Sequence, residues 1–174
     1  MKQIISIILA LYVFTLSAIP ASAAFTIPQD TNVYNYMDYN YITDTTTNQW
    51  QLQQECFTNP CGLRCYIDYF GEVYYVVAMS NYYGTTIGGA YKVTLNNDSS
   101  FKVILGDCKA PKDTTSEYGT QSWNFIDNKY CTNVIEFIVD ESSLPDKVLD
   151  WGTLTAIEYF NENIKEIEYI GKKW

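Results

Sequence analysis

Two acids sit where a charge is costly. In Val103-Ile104-Leu105-Gly106-Asp107 an aspartate closes an apolar run, and in Val134-Ile135-Glu136-Phe137-Ile138-Val139-Asp140 a glutamate interrupts one. The period of two along a strand puts Glu136 and Asp140 on one face with Val134 and Ile138, opposite Ile135, Phe137 and Val139. Burial raises a carboxyl pKa, and an acid still protonated near neutral pH can donate to a leaving group, the chemistry that cleaves glycosidic bonds. Asp107 and Glu136 are therefore the candidate catalytic pair. The structural alternative is an exposed face of an edge strand, or a carboxylate that accepts hydrogen bonds from a neighbouring loop.

The chain contains no histidine. That excludes Ser-His-Asp and Cys-His nucleophile activation and His-bearing metallopeptidase sites. Catalysis must rest on carboxylates, tyrosines, lysines or a metal held by oxygen or sulfur. Calcium held by the acids between Asp107 and Asp113 would lack EF-hand spacing, so no metal and no cofactor are expected. Five cysteines, Cys56, Cys61, Cys65, Cys108 and Cys131, are disulfide candidates in an oxidising compartment. The spacing Cys56-x4-Cys61-x3-Cys65 is only loosely that of zinc ligands. One local pair in that cluster and a Cys108–Cys131 pair are expected, with one thiol left over.

The first residues set the compartment. Met1-Lys2, the apolar run Ile4 to Ile19 and the small residues Ala21-Ser22-Ala23-Ala24 have the layout of a secretory signal peptide, cut after Ala23 or Ala24. The apolar run is short for a membrane span and ends at Pro20. The expected organisation is a signal peptide over 1–24, an extended leader over 25–33 and one domain over 34–174, secreted to the cell exterior or wall. Losing Lys2 and no acid takes the net charge from −9 to −10. Such a charge disfavours nucleic acid and anionic lipid, so membrane contact is expected only through the signal peptide before cleavage.

Sixteen tyrosines, eight phenylalanines and four tryptophans carry much of the apolar material, which suits strands. Aromatic faces also stack on pyranose rings, although a tyrosine-rich β core accounts for the same composition. Tyr82 and Tyr83 in a glycine-marked bend (Ser80 to Gly89), and Trp123 in the long polar stretch from Gly106 to Asn133, are the aromatics expected near a sugar.

The elements that must position these residues are mostly strands. Tyr36 to Ile42 has strand composition, Trp50-Gln51-Leu52-Gln53 alternates, and Thr58 to Arg64 reads as a loop held by its cysteines. Glu72 to Met79 reads as a buried strand, and Tyr91 to Leu95 and Phe101 to Leu105 form a hairpin around Asn96 to Ser100. Val134 to Val139, Thr153 to Ile157 and Lys165 to Ile170 are further strands. Ser142 to Leu149, with Pro145 early and Gly152 beyond its end, is the one clear helix. No repeat or domain boundary interrupts this pattern, so the fold class expected is mainly β, a small barrel with one or two short helices.

The stretches Val77-Ala78-Met79-Ser80, Tyr83-Gly84-Thr85-Thr86-Ile87-Gly88, Tyr91 to Leu95, Val103 to Asp107 and Val134 to Phe137 together resemble the 3D domain, a family named for three aspartates. The resemblance implies a six-stranded double-psi β-barrel, shared with the lytic transglycosylase A, rare lipoprotein A and expansin families. It places Asp107 at the aspartate of the family's Asp-Thr-Gly and Glu136 at the aspartate of its Ile-Asp-Val-Phe, the acid/base position in the related transglycosylases. Cys108-Lys109-Ala110 replaces Thr-Gly-Gly, and Asp113 is the nearest candidate for a third, substrate-binding aspartate. The function implied is cleavage of the peptidoglycan glycan strand, with Glu136 protonating the glycosidic oxygen and then acting as base. The alternative is a secreted module that binds peptidoglycan, another polysaccharide or a protein partner without cleaving anything.

Overall fold

The structure, a computed structural model, describes residues 24, 25, 27, 34–114, 116, 118–124 and 129–174. The expected signal peptide lies outside them, except for Ala24. Among the described residues the chain is mainly β, with two α-helices and a mixed sheet of nine strands.

In chain order the strands are β1 (Ala24–Phe25), β2 (Asn35–Asp38), β3 (Phe57–Thr58), β4 (Arg64–Ile67), β5 (Val73–Ser80), β6 (Gly89–Leu95), β7 (Ser100–Lys109), β8 (Thr120–Asn124), β9 (Lys129–Asn133), β10 (Ile135–Val139) and β11 (Ile164–Lys172). The helices are α1 (Asn48–Gln54) and α2 (Asp146–Trp151). The main ladder runs β1-β11-β6-β7-β5-β10-β2, with β4 paired to β5 and β3 to β4, while β8 and β9 form a separate hairpin. Two pairings are parallel, β5 with β7 and β10 with β2.

The apolar strands fall where the sequence predicts them, because β5 and β10 are apolar enough to be buried on both faces. Val76 to Met79 are fully buried, as are Ile135, Phe137, Ile138 and Val139. On one face of the sheet Phe137 anchors an aromatic core, its ring centroid 4.9 Å from Phe160 and 5.9 Å from Tyr34 and Tyr75. The pairs with Tyr34 and Tyr75 are edge-to-face and the one with Phe160 is tilted, contacts that add to the area each ring buries.

Several expectations change. The strand expected over Tyr36 to Ile42 ends at Asp38 and gives way to a 3₁₀ turn over Tyr39–Tyr41, and the helix expected from Ser142 begins at Asp146, after a 3₁₀ turn over Glu141–Ser143. Trp50 to Gln53 belongs to helix α1, because the Thr47 hydroxyl accepts from Trp50 N–H and caps it. The four-residue alternation was too short to separate a strand from a helix. Thr153 to Ile157 is a 3₁₀ turn over Leu154–Ala156, held where Leu154 N–H and the Thr153 hydroxyl both donate to Tyr34 O. The described residues of the polar stretch after Gly106 include regular elements: β7 continues to Lys109, a 3₁₀ turn spans Pro111–Asp113, and β8 pairs with β9.

Candidate functional site

The register of three strands brings the two acids together. Asp107 on β7 and Glu136 on β10 are both paired to Ala78 on β5, from opposite sides. Directly paired residues point to the same face, so the two carboxylates flank Ala78 with their Cα atoms about 10 Å apart, two strand spacings.

This alignment depends on an irregularity. Val77 pairs with Leu105 but Ala78 pairs with Asp107, so Gly106 is an extra residue bulged out of a parallel ladder. Without the bulge, strict alternation would put Asp107 on the face of Leu105 and Val103, in the aromatic core. Bulges re-aim side chains in this way, and they are rare between parallel strands. Glycine is needed there: a Cβ on residue 106 would lie 2.3 Å from Val76 Cγ1 and 3.1 Å from Ile138 Cδ1.

The acids differ in their surroundings. Lys109, two residues beyond Asp107 and on the same face, ion-pairs with Glu136 at 2.6 Å, and both side chains are largely buried. Asp107 is half-buried and accepts from Cys108 N–H at 2.8 Å. It lines a hollow of about 240 Å³ whose other walls include Met37, Tyr41, Thr43, Asp44, Thr47 and Gln49. Glu136 is not among the residues lining that hollow.

A second hollow of about 250 Å³ adjoins the first through Ile42 and Thr43, and is lined also by Tyr39, Asn40, Trp50, Gln53 and Gln54. Together they form a groove of aromatic rings and neutral hydrogen-bonding groups, with two acids, Asp44 and Asp107, in the first hollow. Its walls are braced. The Thr46 hydroxyl and N–H donate to Asp44, holding that carboxyl below its usual range, and the Thr47 hydroxyl donates to Asp44 O. Arg64 donates to Gln53 Oε1, Gln53 O, Cys56 O and Thr58 Oγ1, and its guanidinium lies 4.6 Å from the centroid of the Tyr39 ring. The segment from 39 to 54 was not singled out from sequence, although Tyr39, Tyr41 and Trp50 beside Asn and Gln were the available signal.

The remaining sequence candidates lie elsewhere. Tyr82 and Tyr83 pack with Phe25 at 5.7 and 5.2 Å between centroids, and Tyr83 lines a different hollow that shares no residue with the groove. Asp113 is exposed at the end of its 3₁₀ turn and lines neither hollow of the groove. Trp123 is on β8 opposite Tyr130, and its side chain lies outside the described residues.

The expected disulfides are not formed: all five cysteines are free. Cys108 Sγ is directed at Gly84 O, 3.6 Å away, rather than toward Cys131, which is buried on β9. Cys56, Cys61 and Cys65 are close enough to influence one another. Burial first, and then the neighbouring Cys56 and Cys61 thiols, push Cys65 up to about 12, and burial likewise pushes Cys56 up to about 12. Thiols so raised are poor nucleophiles.

Among the described residues no three acids or cysteines are arranged to hold a metal ion, and no helix is long and apolar enough to cross a membrane. No protein family, curated protein or solved structure matches this chain. The functional reading therefore stands on the groove itself.

Proposed function

We propose that this is an exported cell-wall protein that binds a polysaccharide, with peptidoglycan its natural ligand, in the groove between Asp107 and Gln54. The observation that carries the reading is the groove's composition: Tyr39, Tyr41 and Trp50 can stack on sugar rings, Asn40, Thr43, Gln49 and Gln54 can bond hydroxyl and amide groups, and the only charged side chains lining it are Asp44 and Asp107. Two adjoining hollows suit consecutive sugars of one strand. The N-terminal sequence supports export, and a mixed sheet with two parallel pairs is in keeping with a double-psi β-barrel.

Recognition is favoured over cleavage by the Lys109–Glu136 ion pair, which engages as a carboxylate the residue that would have to donate a proton. The alignment of Asp107 and Glu136 across Ala78 favours the second reading, in which the acid pair at the Asp107 end of the groove cleaves the strand by acid and base catalysis. Sedimentation of the purified protein with insoluble peptidoglycan, followed by assay of the supernatant for released glycan, tests both. Binding without soluble products is expected, with Tyr41→Ala and Trp50→Ala each weakening it by roughly tenfold, about 1.4 kcal/mol. Failure of the wild-type protein to bind overturns the proposal, and products lost in Asp107→Asn and Glu136→Gln would establish the catalytic reading instead.

A further inference from the structure

The hollow that Tyr83 lines has a different chemistry from the groove. It measures about 190 Å³ and is walled by four aromatic rings, Phe25, Tyr83, Tyr91 and Tyr169, with Gly84 and Thr86 between them. The rings brace one another: Phe25 meets Tyr83 edge-on at 5.2 Å, and Tyr91 meets Tyr169 at 5.2 Å. Phe25 is held by pairing of β1 with β11, opposite Ile167. The Tyr91 hydroxyl donates to Tyr83 O at 2.7 Å, an approach that requires glycine at 84, where φ is +134° and a Cβ would lie 2.8 Å from that hydroxyl.

One group in this wall lacks a partner. Tyr83 is only 3 % exposed, yet its hydroxyl makes no hydrogen bond. That hydroxyl is closed off from solvent, so the hollow meets the Tyr83 ring and not its oxygen. Burial, followed by the charges of Tyr82 and Tyr118, pushes the Tyr83 hydroxyl well above the usual tyrosine value and keeps it neutral.

We propose that this aromatic hollow binds an organic cation of the quaternary ammonium class, a choline-like headgroup. Ring faces attract a cation through their quadrupole, most strongly when it is desolvated among several of them. A quaternary ammonium has no N–H, so it leaves no donor unsatisfied in a wall that contains no charged side chain. A primary ammonium would leave N–H donors unpaired against the rings. The chain's net charge of −9 draws cations toward it. Cleavage on either side of Ala24 would leave Phe25 in the chain.

The site is separate from the groove, so its test does not depend on glycan binding. The folded protein with Phe25 retained is titrated with tetramethylammonium chloride, choline chloride and 3,3-dimethyl-1-butanol, the uncharged carbon isostere of choline. Sodium chloride serves as the ionic-strength control, and tyrosine ring signals are followed by NMR. Both cations are expected to saturate and to shift ring signals, binding at least about tenfold more tightly than the isostere. Tyr169→Leu should weaken both by a similar factor. Phe25→Leu, at the end of a two-residue strand and less demanding on the fold, should do the same. Equal affinity for the isostere, no saturable binding of either cation, or unchanged affinity in the Phe25→Leu variant would each overturn the proposal.

Discussion

The two faces of strand β5 have the same kind of residue and opposite uses. Val77 and Met79 on one face and Val76 and Ala78 on the other are all fully buried, so β5 has no chemistry of its own. On the first face its neighbours are Leu105 and Phe137, part of the aromatic core. On the second its neighbours are Asp107, Lys109 and Glu136. The polar chemistry of the second face is thus supplied by flanking strands, and whether Asp107 belongs to it is decided by register at Gly106. A functional position can depend on a residue with no side chain.

The largest effect should come from the apolar face. Phe137→Ala removes a fully buried ring from a packed cluster and is expected to cost about 3–5 kcal/mol in urea unfolding. Glycan binding per folded molecule should be unchanged, because the groove lies on the other face. A variant that stays stable but loses binding would show that the faces are not independent.

Gly106→Ala should reverse that pattern. The added Cβ meets Val76 Cγ1 at 2.3 Å, so the strand must shift, at a cost of about 1–3 kcal/mol. If the bulge collapses, Asp107 turns into the core and the groove keeps only one of its two acids, Asp44. The smaller stability loss should therefore accompany the greater loss of peptidoglycan binding, measured by sedimentation on the refolded variant.

The acids were legible in the sequence because each follows or interrupts an apolar run, and a carboxylate in a buried strand stands out in any reading. Their alignment was not legible. Alternation alone assigns Asp107 to the face of Leu105 and Val103, and only the bulge moves it. The groove was missed for a related reason: Trp50, Gln53 and Gln54 point into it because Thr47 starts a helix, and four alternating residues read equally well as a strand. Tyr82 and Tyr83 were expected beside Asp107 and Glu136, and the structure packs them against Phe25, since a bend after β5 can fold toward either face. The apolar strands β5, β6 and β10 were readable because their composition leaves few alternatives.

Within the polar face, Lys109→Met tests how far the ion pair holds it together. Glu136, its side chain 15 % exposed, would lose its cation partner among the described residues, at an expected cost of about 1–2 kcal/mol. Adding Glu136→Gln should recover most of that loss, because the unpaired charge is then gone. Additive losses in this double-mutant cycle would mean that the two side chains act independently.

The smallest effect lies outside both faces, in the turn that starts β5. Burial raises the Asp68 carboxyl, but the N–H groups of Glu72 and Phe70, the Tyr74 hydroxyl and the charge of Lys173 outweigh it and hold the group below the usual aspartate range. A carboxyl lowered on folding stabilises the native state fully above its unfolded pKa, and that contribution is lost as pH falls through the lower folded value. Unfolding midpoints of the wild type should therefore begin to fall below about pH 4. Asp68→Asn keeps an oxygen for the two N–H groups but cannot ionise, so it should be slightly less stable than wild type at neutral pH and converge with it in acid. A gap of constant size from pH 7 to the acid limit would mean that the turn depends on the shape of the side chain and not on its charge. The acid sensitivity would then have to come from carboxylates elsewhere, and those of the polar face would be the first to replace.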